Sequence, residues 1–108
     1  MPKLKKPIST EQRIIARQEM FELLDAGELT IGQAIRRMRR EWTGLSQSRF
    51  GKIAGLSANT ISAIERDANH ATARTLNQIL GTFGMALTIR PKAVPSNTAQ
   101  NTPNKRPQ

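Results

Sequence analysis

Residues 44–67 read GLSQSRFGKIAGLSANTISAIERD, two short helix-like runs separated by a single Gly-Leu-Ser. A chain built for one long helix has no use for a glycine and a second capping serine in its middle. In a helix starting at Gln47, Phe50 and Ala54 share a face, and Gly51, with no side chain, lets a second helix come close. Gly55 then turns the chain, Leu56 plugs inward, and Ser57 starts a helix whose Ile61 and Ile64 face back onto the first. The spacing predicts two short helices crossing steeply at a tight turn.

Working outward, Ser46 can cap the first of these helices, which reaches Ala54, and the second reaches Arg66. Thr72 caps a further helix ending at Phe83, where Gly84 supplies a left-handed stop. Upstream, Ile31, Ile35, Met38 and Trp42 recur at helical intervals over residues 29–42, and Arg36, Arg37, Arg39 and Arg40 occupy most of the remaining surface. Before that, Ser9 and Gln12 have the form of a capping box for a helix over residues 10–26, with Ile14, Ile15, Met20, Phe21, Leu23 and Leu24 as its apolar residues. Its Arg13 and Arg17 are balanced by Glu11, Glu19, Glu22 and Asp25. Five helices make a compact all-α bundle.

After Gly84 the period changes from that of a helix to that of a strand. Met85, Leu87 and Ile89 alternate with Ala86, Thr88 and Arg90, and Pro91 ends the run. A single strand leaves its backbone groups without partners inside one protomer, and the simplest remedy is the same strand of a second copy. The other reading is an apolar extension packed on the last helix. The expected organisation is a flexible basic arm (1–8), an extra amino-terminal helix (9–28), the helical domain (29–84), the strand (85–91) and a disordered tail rich in Pro, Asn and Thr (92–108).

The chain has 108 residues, room for one domain whose core is too small for an elaborate active site. With 17 Lys and Arg against 8 Asp and Glu, the net charge of +9 favours a polyanion as partner. There is no cysteine, one histidine and no tyrosine, which leaves little for nucleophilic or acid-base chemistry, so neither an enzyme nor a cofactor is expected. His70 has no second ligand-type residue at metal spacing. Trp42, Phe21, Phe50 and Phe83 fall at core-like positions, so the stacking platform of an RNA binder is missing. No run approaches the roughly 18 apolar residues of a membrane span, and a cytoplasmic, nucleoid-associated protein is expected.

The stretch resembles the helix-turn-helix of the Cro and phage-repressor (XRE-type) DNA-binding family in Gln47, Gly51, Gly55, Leu56, Ile61, Ile64 and Glu65, over residues 29–84 in all. That resemblance implies a five-helix, lambda-repressor-like domain whose second motif helix enters the DNA major groove. The base-facing residues would be Ser57, Ala58, Asn59 and Thr60, with Ser62 on the same side. Asn59 is suited to a paired contact with adenine, while Ser57 serves equally as a cap. Phosphate contacts would come from the helix end at Ser46 and Gln47 and from Arg49, Lys52, Arg66, Asn69 and His70. An ion pair between Glu65 and Arg39 is also implied. Because Glu41-Trp42-Thr43 adds one residue before Gly44, Arg40 is the alternative partner.

Residues 75–92, TLNQILGTFGMALTIRPK, are similar to the end of HipB-type antitoxins, in which one strand pairs across a dimer. This similarity implies a homodimer that binds a palindromic operator in double-stranded DNA, represses its own operon and restrains a HipA-like kinase toxin. The two recognition helices would lie roughly 34 Å apart. A plain phage- or plasmid-type regulator, or a protein-interaction module that does not bind DNA, is the alternative.

Overall fold

The computed structural model describes residues 9–92; the arm (1–8) and the tail from residue 93 onward lie outside the described residues. Five helices follow one another: α1 (Thr10–Asp25), α2 (Ile31–Arg37, continuing as a π-helical run, Met38–Thr43), α3 (Gln47–Ala54), α4 (Ala58–Arg66) and α5 (Ala73–Gly81). A 3-10 turn, Ala68–His70, joins α4 to α5. Every helix opens on a hydroxyl residue, Ser9, Thr30, Ser46, Ser57 or Thr72, whose side chain accepts from an amide of the first turn. Thr30 and Gln33 form a reciprocal capping box, so α2 starts at Ile31 rather than at residue 29.

The π-helical run is where local sequence and expected spacing meet. Gly44 N donates to Arg39 O at 3.0 Å, a bond one residue wider than the α-helical pattern, and Gly44 leaves the run with φ of 70°. Wider winding absorbs one additional residue without breaking the helix. The extra position in Glu41-Trp42-Thr43 is taken up in this way.

The core gathers Ile35, Met38 and Trp42 from α2, Phe50 and Ala54 from α3, Ile61 and Ile64 from α4, and Leu76, Ile79 and Leu80 from α5. Phe83 lies against it, stacked on Phe50 at 5.4 Å and edge-on to Trp42 at 6.0 Å. Helix α1 contributes only Met20 as a fully buried side chain. Ile14 and Ile15 are more than half exposed and Phe21 is 39% exposed, with the Arg17 guanidinium 5.8 Å from its ring. The expectation of Phe21 as a core residue is therefore corrected. Successive helical residues point about 100° apart, so Ile14 and Ile15 cannot both face inward.

Helix α5 stops at Gly81, two residues before the expected Phe83, and the chain turns through Gly84 with Met85 N donating to Leu80 O at 2.9 Å. No strand forms among the described residues, so the expected strand over residues 85–91 is absent from the single chain. A ladder requires a second strand, and everything else described is helix or turn. The period of two survives as burial: Met85 and Leu87 are half-buried against the core, Ala86 and Thr88 are exposed, and Ile89 stands 95% exposed. Leu87 N donates to Asn77 Oδ1 at 2.7 Å, and Arg90 pairs with Asp25 at 3.4 Å on the surface.

Candidate nucleic-acid interface

Helices α3 and α4 pack directly on each other, and α4 also packs on α2. Two glycines without side chains make this possible. A Cβ on Gly51 would lie 2.5 Å from Leu56 O, and one on Gly32 would strike Ile64 O and lie 2.8 Å from Glu65 O. Both obstructions are backbone and cannot swing aside. Gly55 turns the chain between the helices at φ of 79°, a region that side-chain-bearing residues avoid. The turn is held from outside by Gln78, whose Nε2 donates to Ala54 O at 2.9 Å. Gly32 and Gln78 are contributions that the motif pattern misses; a glycine inside a helical run, as at 32, is the available signal for the first.

The far end of α4 is fixed by a buried charge pair. Arg39 and Glu65 are each 7% exposed, with Nε donating to Oε2 at 2.6 Å and Nη2 to Oε1 at 3.0 Å. The third arm of the guanidinium donates to Leu45 O at 2.7 Å, and Gln47 Nε2 adds a bond to Glu65 Oε1 at 3.0 Å. All three guanidinium nitrogens and both carboxylate oxygens are thereby hydrogen-bonded, which is what offsets the desolvation of two charges. Arg39 occupies the position, and Arg40 is exposed. One N–H of the Gln47 carboxamide is committed to this network, which leaves its second N–H and the backbone amide for a phosphate.

At the leading end of α4, Ser57 Oγ accepts from Thr60 N at 3.0 Å and donates to Thr60 Oγ1 at 2.9 Å. Ser57 is the helix cap. Ala58 and Thr60 are half-buried, whereas Asn59 is exposed and its carboxamide makes no hydrogen bond among the described residues. Ser62 Oγ accepts from Arg66 Nη1 at 2.9 Å. Helix α3 starts in the same manner, Ser46 Oγ accepting from Arg49 N at 3.1 Å. The first amides of each helix have no partner within their own helix and are open to an anion.

Arg49 and Lys52 on α3, Arg66 at the far end of α4, and Asn69 and His70 in the 3-10 turn beyond it are all exposed. The Asn69 amide donates to Asp67 Oδ1 at 2.9 Å, shaping the 3-10 turn. Arg74, exposed in the first turn of α5, joins them and has no place in the motif pattern. From residue 42 to residue 92 the only acids are Glu65, neutralised by Arg39, and Asp67. The helix-turn-helix surface therefore carries exposed basic side chains, the starts of two helices and one free carboxamide. Among the described residues no group of His, Cys, Asp and Glu could hold a metal ion, and no helix is long and apolar enough to cross a membrane.

A family model described as helix-turn-helix matches residues 35–89, just over half of the chain, and covers the whole of this face. No curated protein and no solved structure matched the chain. With the two helices, their glycine turn and the buried Arg39–Glu65 brace on the page, the chain belongs to the XRE-type helix-turn-helix family of DNA-binding proteins.

Proposed function

We propose that the chain is a sequence-specific repressor that binds a palindromic operator as a homodimer. The observation that carries this reading is the leading end of α4. Ser57 is spent on the cap, Asn59 beside it is exposed and unbonded, and the opposite end of the helix is held by Arg39, Glu65 and Gln47. A rigid helix with one free carboxamide at its tip can make a paired contact with adenine, with Ala58 and the Thr60 methyl against thymine methyls and Ser62 at the flank. The amides at the start of α3, with Ser46 and Gln47, meet one phosphate. Arg49, Lys52, Arg66, Asn69 and His70 meet others, and we add Arg74 to them. No catalytic step and no cofactor belong to this reading, and its place is the nucleoid.

Residues 85–90 supply the contact between copies. The amides of Met85 and Leu87 are taken inside the chain, by Leu80 O and Asn77 Oδ1, while those of Ala86, Thr88, Ile89 and Arg90 have no partner among the described residues. Of these, Ala86, Thr88 and Arg90 alternate along one edge, the spacing that an antiparallel neighbour takes up. Similarity to HipB-type antitoxins extends the proposal to a HipA-like kinase toxin as a protein partner. A plain regulator without a toxin would use the same DNA face.

Binding to duplex DNA measured across a salt series tests the first part. The logarithm of affinity should fall by about 0.9 per neutralised phosphate for each unit of log salt, whereas a flat response would mean that the basic face serves a protein instead. Removing residues 85–108 tests the second part. Light scattering should then report a monomer, and a truncated chain that is still dimeric refutes the shared segment.

A further inference from the structure

Arg13 and Arg17 stand one turn apart on α1, and neither has an ion-pair partner among the described residues. Both line a cavity of about 280 Å³, whose other walls are Trp42 and Thr43 of the π-helical run and Thr82 and Phe83 beyond α5. No carboxylate lines it. Trp42 is 6% exposed, and its indole Nε1 is the one buried side-chain nitrogen or oxygen among the described residues without a hydrogen-bond partner. Buried donors are nearly always paired, so an orphan beside a cavity signals an acceptor still to come. Thr43 Oγ1 donates to Arg39 O and accepts from Leu45 N, and Thr82 Oγ1 donates to Ile79 O, so neither hydroxyl proton is free.

The groups left to a ligand are two guanidinium forks, that of Arg17 also lying against Phe21, and two aromatic rings, with the unpaired indole N–H buried behind them. We propose that this cavity is a binding site for a small organic anion, a carboxylate or phosphate carried on a compact apolar or aromatic body. The charge would sit between Arg13 and Arg17, in the paired geometry that guanidinium gives to planar oxyanions, and the body against Trp42 and Phe83. The volume lies just under the usual range of about 300–1,000 Å³ for small-molecule sites, which limits the body to about one ring. Both arginine side chains are exposed, whereas the indole nitrogen is shielded from solvent.

The site is placed to act on the DNA face. Trp42 belongs to the same π-helical run as Arg39, and Thr43 Oγ1 donates to Arg39 O at 2.5 Å. Runs of this winding recur at functional positions. An occupant that ties α1, whose one fully buried side chain is Met20, to Trp42 loads the segment that holds Glu65 at the end of α4. The ligand site stands on its own geometry, while its influence on operator affinity rests on the proposed function above.

Trp42 is the only tryptophan and the chain has no tyrosine, so one indole N–H resonance and one fluorophore report on this cavity alone. The full chain is titrated with benzoate, phenyl phosphate, inorganic phosphate and, as a neutral control, benzyl alcohol, at constant ionic strength. Benzoate or phenyl phosphate should shift the indole proton downfield and change Trp42 emission saturably, with half-saturation at or below about 1 mM. The R13Q/R17Q variant, checked for unchanged circular dichroism, should weaken that response by about tenfold or more. Saturation by benzoate over phenyl phosphate assigns a carboxylate, and the reverse a phosphate ester. A response to inorganic phosphate alone, a response to benzyl alcohol equal to that of the anions, no saturation with any probe, or a double variant that binds as before overturns the proposal. These readouts involve no DNA and are independent of whether the operator reading holds.

Discussion

Replacing Glu65 by glutamine keeps the shape of the side chain and removes its charge from beneath Arg39. The wild-type carboxylate accepts from Arg39 Nε, from Arg39 Nη2 and from Gln47 Nε2, while Arg39 also holds Leu45 O. A carboxamide offers one acceptor oxygen to these three donors and turns an NH2 group toward the others. The guanidinium is left 7% exposed and uncompensated. Removing one partner of a buried pair costs about 3–5 kcal/mol. A domain this small has a total stability near the lower end of about 5–15 kcal/mol, so Glu65→Gln should bring it close to unfolding at ambient temperature. At about 4–8 °C per kcal/mol for a domain of this size, the melting temperature should fall by roughly 12–40 °C. The assay is urea unfolding followed by Trp42 fluorescence and circular dichroism, applied to E65Q, R39M and the double variant R39M/E65L. The double variant should lie within about 1.5 kcal/mol of the parent, because apolar residues of similar volume replace buried ion pairs at little net cost. Single variants that lose less than about 1 kcal/mol, or single losses that simply add in the double, would refute the account of this pair.

Two further substitutions test the construction of the motif. Gly32→Ala sets a methyl group against the carbonyls of Ile64 and Glu65; overpacking of this kind costs about 1–3 kcal/mol and should outweigh the gain of about 1 kcal/mol in helix propensity. An alanine variant as stable as the parent in urea would show that α2 and α4 are not in close contact. Ser57→Ala should cost about 1 kcal/mol of stability through the lost cap and leave discrimination between duplexes unchanged. Lost discrimination at unchanged stability would return Ser57 to the set of base readers.

Much of the fold was legible because each helix carries its own start signal. Ser46, Ser57 and Thr72 are capping residues at the positions the spacing indicates, and Gly55 and Gly84 adopt the left-handed turns expected of them. Thr30 with Gln33 is an equally clear local signal, yet the apolar period running back to Leu29 obscured it. The π-helical run could not be read, since it follows from where Trp42 and Arg39 must sit in three dimensions rather than from any local preference. Helix α1 shows the opposite failure: Ile14, Ile15 and Phe21 look like core residues by type, but the inward stripe is carried by Met20, fully buried, and Leu24, packed against the core. At the candidate site, exposure and capping chemistry separate Asn59 from Ser57, and only contact geometry reveals that the Gln47 side chain serves Glu65. The segment after Gly84 kept its alternation without forming a strand, because pairing is a property of two segments and one chain supplies a single one.

The central claim is that the leading end of α4 reads DNA bases. It is tested most directly by selecting bound duplexes from random DNA with the full chain, and then measuring Asn59→Ala on the selected duplex and on a scrambled one. We predict recovery of a palindromic sequence and a loss of roughly 1–3 kcal/mol for the variant on the selected duplex, with little change on the scrambled one. No enriched sequence, or an equal loss on both duplexes, would contradict it.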